Sequence, residues 1–236
     1  MQKIKFENRA VAFIDILGFK SVVGAAVQDG KGLCELEELI SMLESVVPNL
    51  DGTVDQSIHR DLIPKHIYIS DCIILSAPLA SDKMPSYRGL SILVMRVIQI
   101  SHILLSKGYL IRGGISVGQV WHTDSNIVGT AYQEAYQIET RTDVPRVELS
   151  RGAKELWNRT EGSANTMCLD YEEHFMVNVL HDYYIQDTSH GAIERAFDKY
   201  SNVIEKNLAA NYPESVEYKW RWFKQYLESE TARNKL

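Results

Sequence analysis

The sequence has few cysteines and no excess of positive charge. The three cysteines, Cys34, Cys72 and Cys168, form no CxxC pair and do not stand at the spacing of a Cys/His metal site. This pattern excludes a disulfide framework and a zinc site. The 25 basic residues against 31 acidic ones give a formal net charge of −6, without a lysine or arginine cluster. Because diffuse attraction to phosphate backbones needs positive charge, we expect no nucleic-acid partner.

Long apolar runs and a phosphate-binding loop are also lacking. The N-terminal stretch MQKIKFENR has no signal-sequence core, and Arg96, Gln99 and His102 interrupt the most apolar later stretch, residues 90–105. We therefore expect a soluble, cytoplasmic protein that makes no membrane contact. The motif GxxxxGKS/T is absent, which excludes a P-loop NTPase. Ser70 beside Asp71 does not form a Ser/His/Asp constellation, so we expect no hydrolase nucleophile there.

What is present is an apolar run with one carboxylate inside it, AVAFIDILGF at residues 10–19. Residues 10–16 are typical of a buried strand, which puts Asp15 near its C-terminal end, and Gly18 allows the chain to turn there. A lone acid at such a position most often accepts backbone N–H groups in a turn.

A second carboxylate stands in a matching setting within KHIYISDCIILSAP, residues 65–78. The β-branched runs at residues 67–69 and 73–75 predict a hairpin with Asp71 at its tip. Two acids at strand ends suit a hard divalent cation, because Mg²⁺ prefers one or two carboxylates together with substrate phosphate oxygens. The pair therefore favours a metal site over two separate turn acids.

The remaining pattern predicts one domain with a helical appendage. Helices are predicted at residues 21–28, 33–47, 86–106, 130–140, 151–157, 193–211 and 214–233. Further strands are predicted at residues 109–122, 127–129, 144–149, 167–169 and 175–180, and a loop at residues 49–64. We divide the chain into a catalytic domain, residues 1–190, and an extension, residues 191–236. The sequence leaves open whether the extension packs on the core or on a partner chain.

Four segments stand in a defined order along residues 8–180: FIDILGF, ISDCIILSA, IRGGISVG and GTAYQEAYQIE. Their order and spacing resemble the catalytic domain of the class III nucleotide cyclases, the adenylyl and guanylyl cyclases. The resemblance implies an α+β fold with a ferredoxin-like sheet and flanking helices. It also implies a head-to-tail homodimer in which each site takes residues from both chains.

The resemblance implies roles for several of these residues. Asp15, Asp71 and the backbone carbonyl of Ile16 would bind two divalent cations, Mg²⁺ or Mn²⁺, that promote attack of a ribose 3′-hydroxyl on the α-phosphorus of a nucleoside triphosphate. Where the family has Asn and Arg in the helix after the glycine turn, this chain has Gln133 and Gln137. Gln133 can still hydrogen-bond the substrate, whereas Gln137 supplies no charge.

A cation for the reacting phosphate must then come from elsewhere. Arg112, Lys65 and Arg141 are the candidates, and we assign the catalytic role to Arg112, which opens the glycine-rich strand. An arginine at a strand end pairs with a nearby acid about as often as it binds phosphate, so both interpretations stay open.

The RGGIS strand, the short core and the C-terminal helices are similar to the bacterial pyrimidine cyclases of Pycsar antiphage systems. That similarity implies cyclic UMP or cyclic CMP as a messenger for a separate effector. The base-selecting Lys and Asp of the purine cyclases align with Ile67, which offers no hydrogen bond, and Asn126, which can pair with uracil or, flipped, with cytosine. We expect UTP as substrate. The alternatives are CTP, a purine cyclase, and a catalytically inactive regulatory domain.

Overall fold

The fold is built on one mixed β-sheet. The computed structural model describes residues 3–30, 32–53, 58–162, 164–185, 189 and 191–235. Its strands are β1 (Glu7–Leu17), β2 (Lys65–Ile69), β3 (Cys72–Pro78), β4 (Leu110–His122), β5 (Ile127–Gly129), β6 (Val147–Leu149), β7 (Cys168–Tyr171) and β8 (His174–Val177). They lie in the order β2-β3-β1-β4-β6-β8-β7, and β5 pairs with β4. Only β4 and β6 among the described strand pairs run parallel.

Helices follow the strands and cover the sheet. They are α1 (Phe19–Asp29), α2 (Leu33–Ser41), the short turn α3 (Val47–Asn49), α4 (Gly89–Leu105), α5 (Thr130–Thr140), α6 (Arg151–Thr160), α7 (Ala192–Leu208) and α8 (Glu214–Asn234). A π-helical turn, Met42–Val46, joins α2 to α3. The predicted α+β class is confirmed. Among the described helices, none is long and apolar enough to cross a membrane.

Most predicted elements appear, with small shifts at their ends. The strand predicted from residue 144 begins only at Val147, and the helix predicted from residue 86 begins at Gly89. Pro48 lies inside α3 and does not end the helical path, and Thr130 is the first residue of α5, with Gly129 in the cap position. Residues 54–57 of the predicted loop lie outside the described residues.

The central strand β1 is buried on both faces, which explains its unbroken apolar run. Ala10, Ala12, Ile14 and Ile16 belong to the main core, which also contains the apolar side chains of α4. Val11 and Phe13 point to the other face, where they join Ile67, Ile74, Val120, Ile127, Ala131 and Ala135 in a second cluster under α5. The alternating side chains of one strand thus fill two layers.

The glycines of the RGGIS segment allow β4 to approach its neighbours closely. A Cβ atom on Gly113 would lie 2.3 Å from the carbonyl oxygen of Phe13, and one on Gly114 would lie 2.4 Å from the carbonyl oxygen of Ala135 in α5. Because real side chains do not tolerate such contacts with backbone, the close approach of α5 to β4 at Gly114 requires a residue without a side chain. This approach positions α5 beside the end of β1.

The helices α7 and α8 pack on the chain's own core. Aromatic residues of α8, including Trp222 and Tyr226, are buried in the main core. The Tyr226 hydroxyl donates to Asn178 Oδ1 at 2.7 Å, and Asn178 Nδ2 donates to Glu230 Oε2 at 2.7 Å. The Trp222 indole donates to Glu172 at 2.7 Å, beside the β7–β8 turn. The domain boundary between residues 190 and 191 stays a prediction.

Candidate metal and nucleotide site

The sheet register brings the two predicted acids together. In β1, Asp15 stands opposite Cys72 of β3 on one side and Arg112 of β4 on the other. The backbone N–H of Ile16 donates to the carbonyl oxygen of Asp71 at 3.0 Å, which ties the hairpin tip to the end of β1. The tip itself is a tight turn, in which the residue before Asp71 takes a left-handed backbone conformation.

The donor atoms of this cluster fit a hard cation. Carboxylate oxygens of Asp15 and Asp71 and the Cys72 sulfur all lie within 4.8 Å of one another, and all three residues are partly buried. Burial raises the pKa of the Cys72 thiol to about 12, and the neighbouring charge of Asp71 adds to the effect. The thiol therefore stays protonated, so the oxygen atoms are the donors that Mg²⁺ or Mn²⁺ would use. The Ile16 carbonyl as a further ligand stays a prediction.

Electrostatics at the acids favour a bound positive charge. Burial raises the pKa of Asp15, the Arg112 guanidinium lowers it, and the Asp71 carboxylate raises it again. Two carboxylates that share a partly buried position repel each other, and a cation between them removes that repulsion. The pKa of Asp15 is raised on balance, so Arg112 does not fully offset burial and the repulsion from Asp71.

Arg112 pairs with acids, as one of the two sequence interpretations proposed. Its Nε donates to Asp15 Oδ2 at 3.0 Å, its Nη1 donates to the carbonyl oxygen of Thr142 at 3.1 Å, and its Nη2 lies 2.8 Å from Glu139 Oε1. The guanidinium nevertheless remains 26 % exposed at the edge of the acidic cluster. It is a cation held next to the acids rather than one buried away from them.

The two other candidate cations are engaged elsewhere. Lys65 Nζ donates to the carbonyl oxygen of His122 at 2.9 Å, at the far end of β4. Arg141 Nη2 lies 3.8 Å from Glu148 Oε1 of β6. Of the three, Arg112 is the one that contacts the acidic cluster.

Glu139 is a site residue that sequence reasoning missed. It lies near the C-terminal end of α5 and is only 5 % exposed. Burial raises its pKa, Arg112 lowers it, and both Asp15 and Asp71 raise it, so it shares the field of the acidic cluster. The sequence did offer a signal for Glu139, because it shares a helix face with Ala131, Ala135 and Ile138. An acid on an apolar, buried face is normally paired with a cation or a hydrogen-bond donor.

The predicted substrate-binding residues are spread over the chain. Ile67 is packed in the second apolar cluster, on the face that also carries Phe13. Gln133 and Gln137 are exposed on α5, and Asn126 is exposed in the β4–β5 turn, where its backbone bonds Thr123. Ten residues of β4 separate the position opposite Asp15 from that turn, about 30 Å of strand. Asn126 is thus at the opposite end of β4 from the acids of its own chain.

Comparison with known proteins defines the class of fold. No family model and no curated protein matches the sequence. The fold is that of the class III cyclase catalytic domains, because this chain is similar in structure to solved domains of that class.

One of these is the monomeric guanylyl cyclase domain of the RhoGC fusion protein from the aquatic fungus Blastocladiella emersonii. It is 15 % identical with a TM-score of 0.53, and the match covers 75 % of this chain and 98 % of that domain. The second is the catalytic core of a rhodopsin-guanylyl cyclase with converted specificity in complex with ATPαS. It is 17 % identical with a TM-score of 0.52, again over 75 % of this chain and 98 % of the other.

Proposed function

We propose that this protein is a metal-dependent nucleotide cyclase that converts UTP to cyclic UMP and pyrophosphate. The observation that carries the proposal is the meeting of Asp15 and Asp71 at the end of β1, with their oxygens and the Cys72 sulfur within 4.8 Å. They stand in a fold that guanylyl cyclase domains share. A partly buried pair of acids with oxygen donors can bind the divalent cations that phosphoryl transfer on a nucleotide uses.

The proposed reaction assigns each residue a task. Asp15, Asp71 and the Ile16 carbonyl would hold two divalent cations, which lower the pKa of the ribose 3′-hydroxyl and neutralise the triphosphate. The 3′-hydroxyl gives its proton to solvent, its oxygen forms a bond to the α-phosphorus, the bond from that phosphorus to the bridging oxygen breaks, and pyrophosphate leaves with the electron pair. Arg112 offers positive charge at the edge of the cluster, and Gln133 is a hydrogen-bonding group for the substrate.

The base preference rests on two residues. Ile67 presents an apolar side chain where a purine cyclase has a hydrogen-bonding lysine, and Asn126 provides one donor and one acceptor. Because Asn126 lies far along β4 from the acids of its own chain, it would serve the site of a partner chain. We therefore propose a homodimer, with cyclic UMP as a cytoplasmic messenger that acts on a separate effector in antiphage defence. The resemblance of the RGGIS segment and the C-terminal helices supports that role.

A catalytically inactive nucleotide-binding domain is the second candidate. Gln137 favours it, because this exposed, uncharged side chain stands where the family has an arginine. The retention of both Asp15 and Asp71 favours the enzyme.

The test is a competition among the four nucleoside triphosphates. Purified protein is incubated with equal concentrations of ATP, GTP, CTP and UTP and with Mn²⁺ or Mg²⁺, and the cyclic products are separated by chromatography. We expect cyclic UMP to predominate. Predominant cyclic CMP would move the assignment to a cytidylate cyclase, and cyclic AMP or GMP would overturn the pyrimidine assignment. Nucleotide binding without any cyclic product would support the inactive domain.

A further inference from the structure

Arg112 has three acceptors arranged around one guanidinium group. Nε donates to Asp15, Nη1 donates to the Thr142 carbonyl oxygen, and Nη2 faces Glu139. Two of the three lie in or just beyond α5, and the third is a proposed metal ligand. A divalent cation at Asp15 would repel the guanidinium, since both are positive and would share one carboxylate.

The contact with Glu139 is incomplete as it stands. Nη2 is 2.8 Å from Oε1, yet this buried oxygen has no aligned hydrogen-bond partner. A buried carboxylate oxygen without an aligned donor is costly. A shift of the guanidinium toward Glu139 would align the hydrogen bond that this ion pair lacks, and the side chain is 7 % exposed, so water offers little competition.

We propose that Glu139 is a positioning residue that receives Arg112 when a divalent cation displaces the guanidinium from Asp15. The inference rests on the proposed metal site. Arg112 would turn from Asp15 toward Glu139 while the Thr142 carbonyl keeps its hold, so the cation can bind without driving the arginine out of the site. Cation affinity then depends on Glu139 through Arg112, and not through direct contact.

The affinity of the nucleotide-free protein for Mn²⁺ tests this dependence. It is measured by electron paramagnetic resonance, in which the signal reports the free Mn²⁺. Glu139→Gln should weaken binding about tenfold, because the displaced guanidinium loses its charged acceptor and competes for Asp15. Arg112→Gln should tighten binding, because the competitor is gone. In the Arg112→Gln background, Glu139→Gln should then change the affinity by less than about twofold.

The matched control is Glu134→Gln, which removes the same charge from an exposed position of the same helix and should leave Mn²⁺ affinity unchanged. An equal loss from Glu139→Gln in both backgrounds would show direct action on the cation and overturn the inference, as would no loss in the wild-type background. Unchanged Mn²⁺ affinity in Asp15→Asn would instead overturn the metal site itself. Circular dichroism spectra confirm that each variant is folded.

Discussion

His102 is a buried histidine outside the candidate site, and its hydrogen bonds define its protonation. Nε2 lies 3.0 Å from the carbonyl oxygen of His181, and Nδ1 lies 2.5 Å from the Tyr200 hydroxyl. Because a carbonyl can only accept, Nε2 carries the proton and Nδ1 accepts from Tyr200. Burial lowers the pKa of His102 to about 4. The ring is therefore neutral in the folded protein at neutral pH.

This residue makes stability depend on pH. In the unfolded chain the histidine pKa is about 6.5, so between about pH 6.5 and 4 the unfolded state binds a proton that the folded state does not. The free energy of unfolding therefore falls as the pH drops through that window. We expect His102→Gln to destabilise the protein at pH 7.5, and this penalty should shrink by about 2 kcal/mol at pH 5.0.

Urea denaturation of wild type and variant at the two pH values measures the change. His59→Gln serves as the control, because it removes an imidazole from an exposed position of the same chain. A difference between wild type and His102→Gln that stays constant from pH 7.5 to 5.0 would contradict the account.

The sequence was informative about site residues whose local setting is unusual. The meeting of Asp15 and Asp71 was predictable because each acid interrupts or ends an apolar strand. Glu139 was not, because its partner Arg112 lies 27 positions earlier in the chain and meets it only when α5 folds across β4. For Arg112, the sequence did not decide between binding a substrate phosphate and pairing with a nearby acid, because that choice depends on a contact between different elements.

At the scale of elements, apolar periodicity predicted the existence of strands and helices better than their ends. The strand before α6 is three residues long because only Val147–Leu149 pairs with its neighbours. The start of α5 follows Gly129, which lies close to the backbone of β4, and no side chain caps the helix there. The ends of these elements are set by tertiary contacts, which a local sequence pattern does not report.

The packing of α8 was undecided by sequence because an amphipathic helix fits its own core or a partner equally well. The structure shows the buried hydrogen bond between Tyr226 and Asn178 at 2.7 Å. We expect Tyr226→Phe to lower the free energy of unfolding by about 1–3 kcal/mol, because a buried acceptor loses one of its donors.

Tyr218→Phe on the same helix is the control, since Tyr218 is 54 % exposed and its hydroxyl can bond water. Chemical denaturation of both variants at pH 7.5 compares them. Equal stability of Tyr226→Phe and the control would mean that α8 does not dock through this bond.

At the scale of the whole molecule, a single chain does not gather all the residues that the proposed reaction uses. Ile69 is 59 % exposed beside the hairpin tip, and Tyr136 is 48 % exposed on α5, with its ring 5.2 Å from that of Phe13. In the proposed homodimer, a partner chain seated at this end of the sheet would remove both side chains from water.

Complementation tests the dimer. Asp71→Asn and Gln133→Ala should each be inactive alone if one chain supplies the acids and its partner supplies Gln133. Mixing equal amounts with free subunit exchange should restore about a quarter of the wild-type sites, because half of the dimers are mixed and each contains one intact site. No gain after demonstrated exchange, or full activity in a monomeric sample, would contradict the shared site.

The most direct measurement for the central claim is the rate of cyclic nucleotide formation from UTP with Mn²⁺ by wild type, Asp15→Asn and Asp71→Asn. Asp198→Asn, which changes an exposed acid on α7, is the control. The account predicts that each site variant keeps the wild-type circular dichroism spectrum and loses about a thousandfold or more in rate, while the control is unaffected. A folded Asp15→Asn or Asp71→Asn that forms cyclic product near the wild-type rate would contradict it.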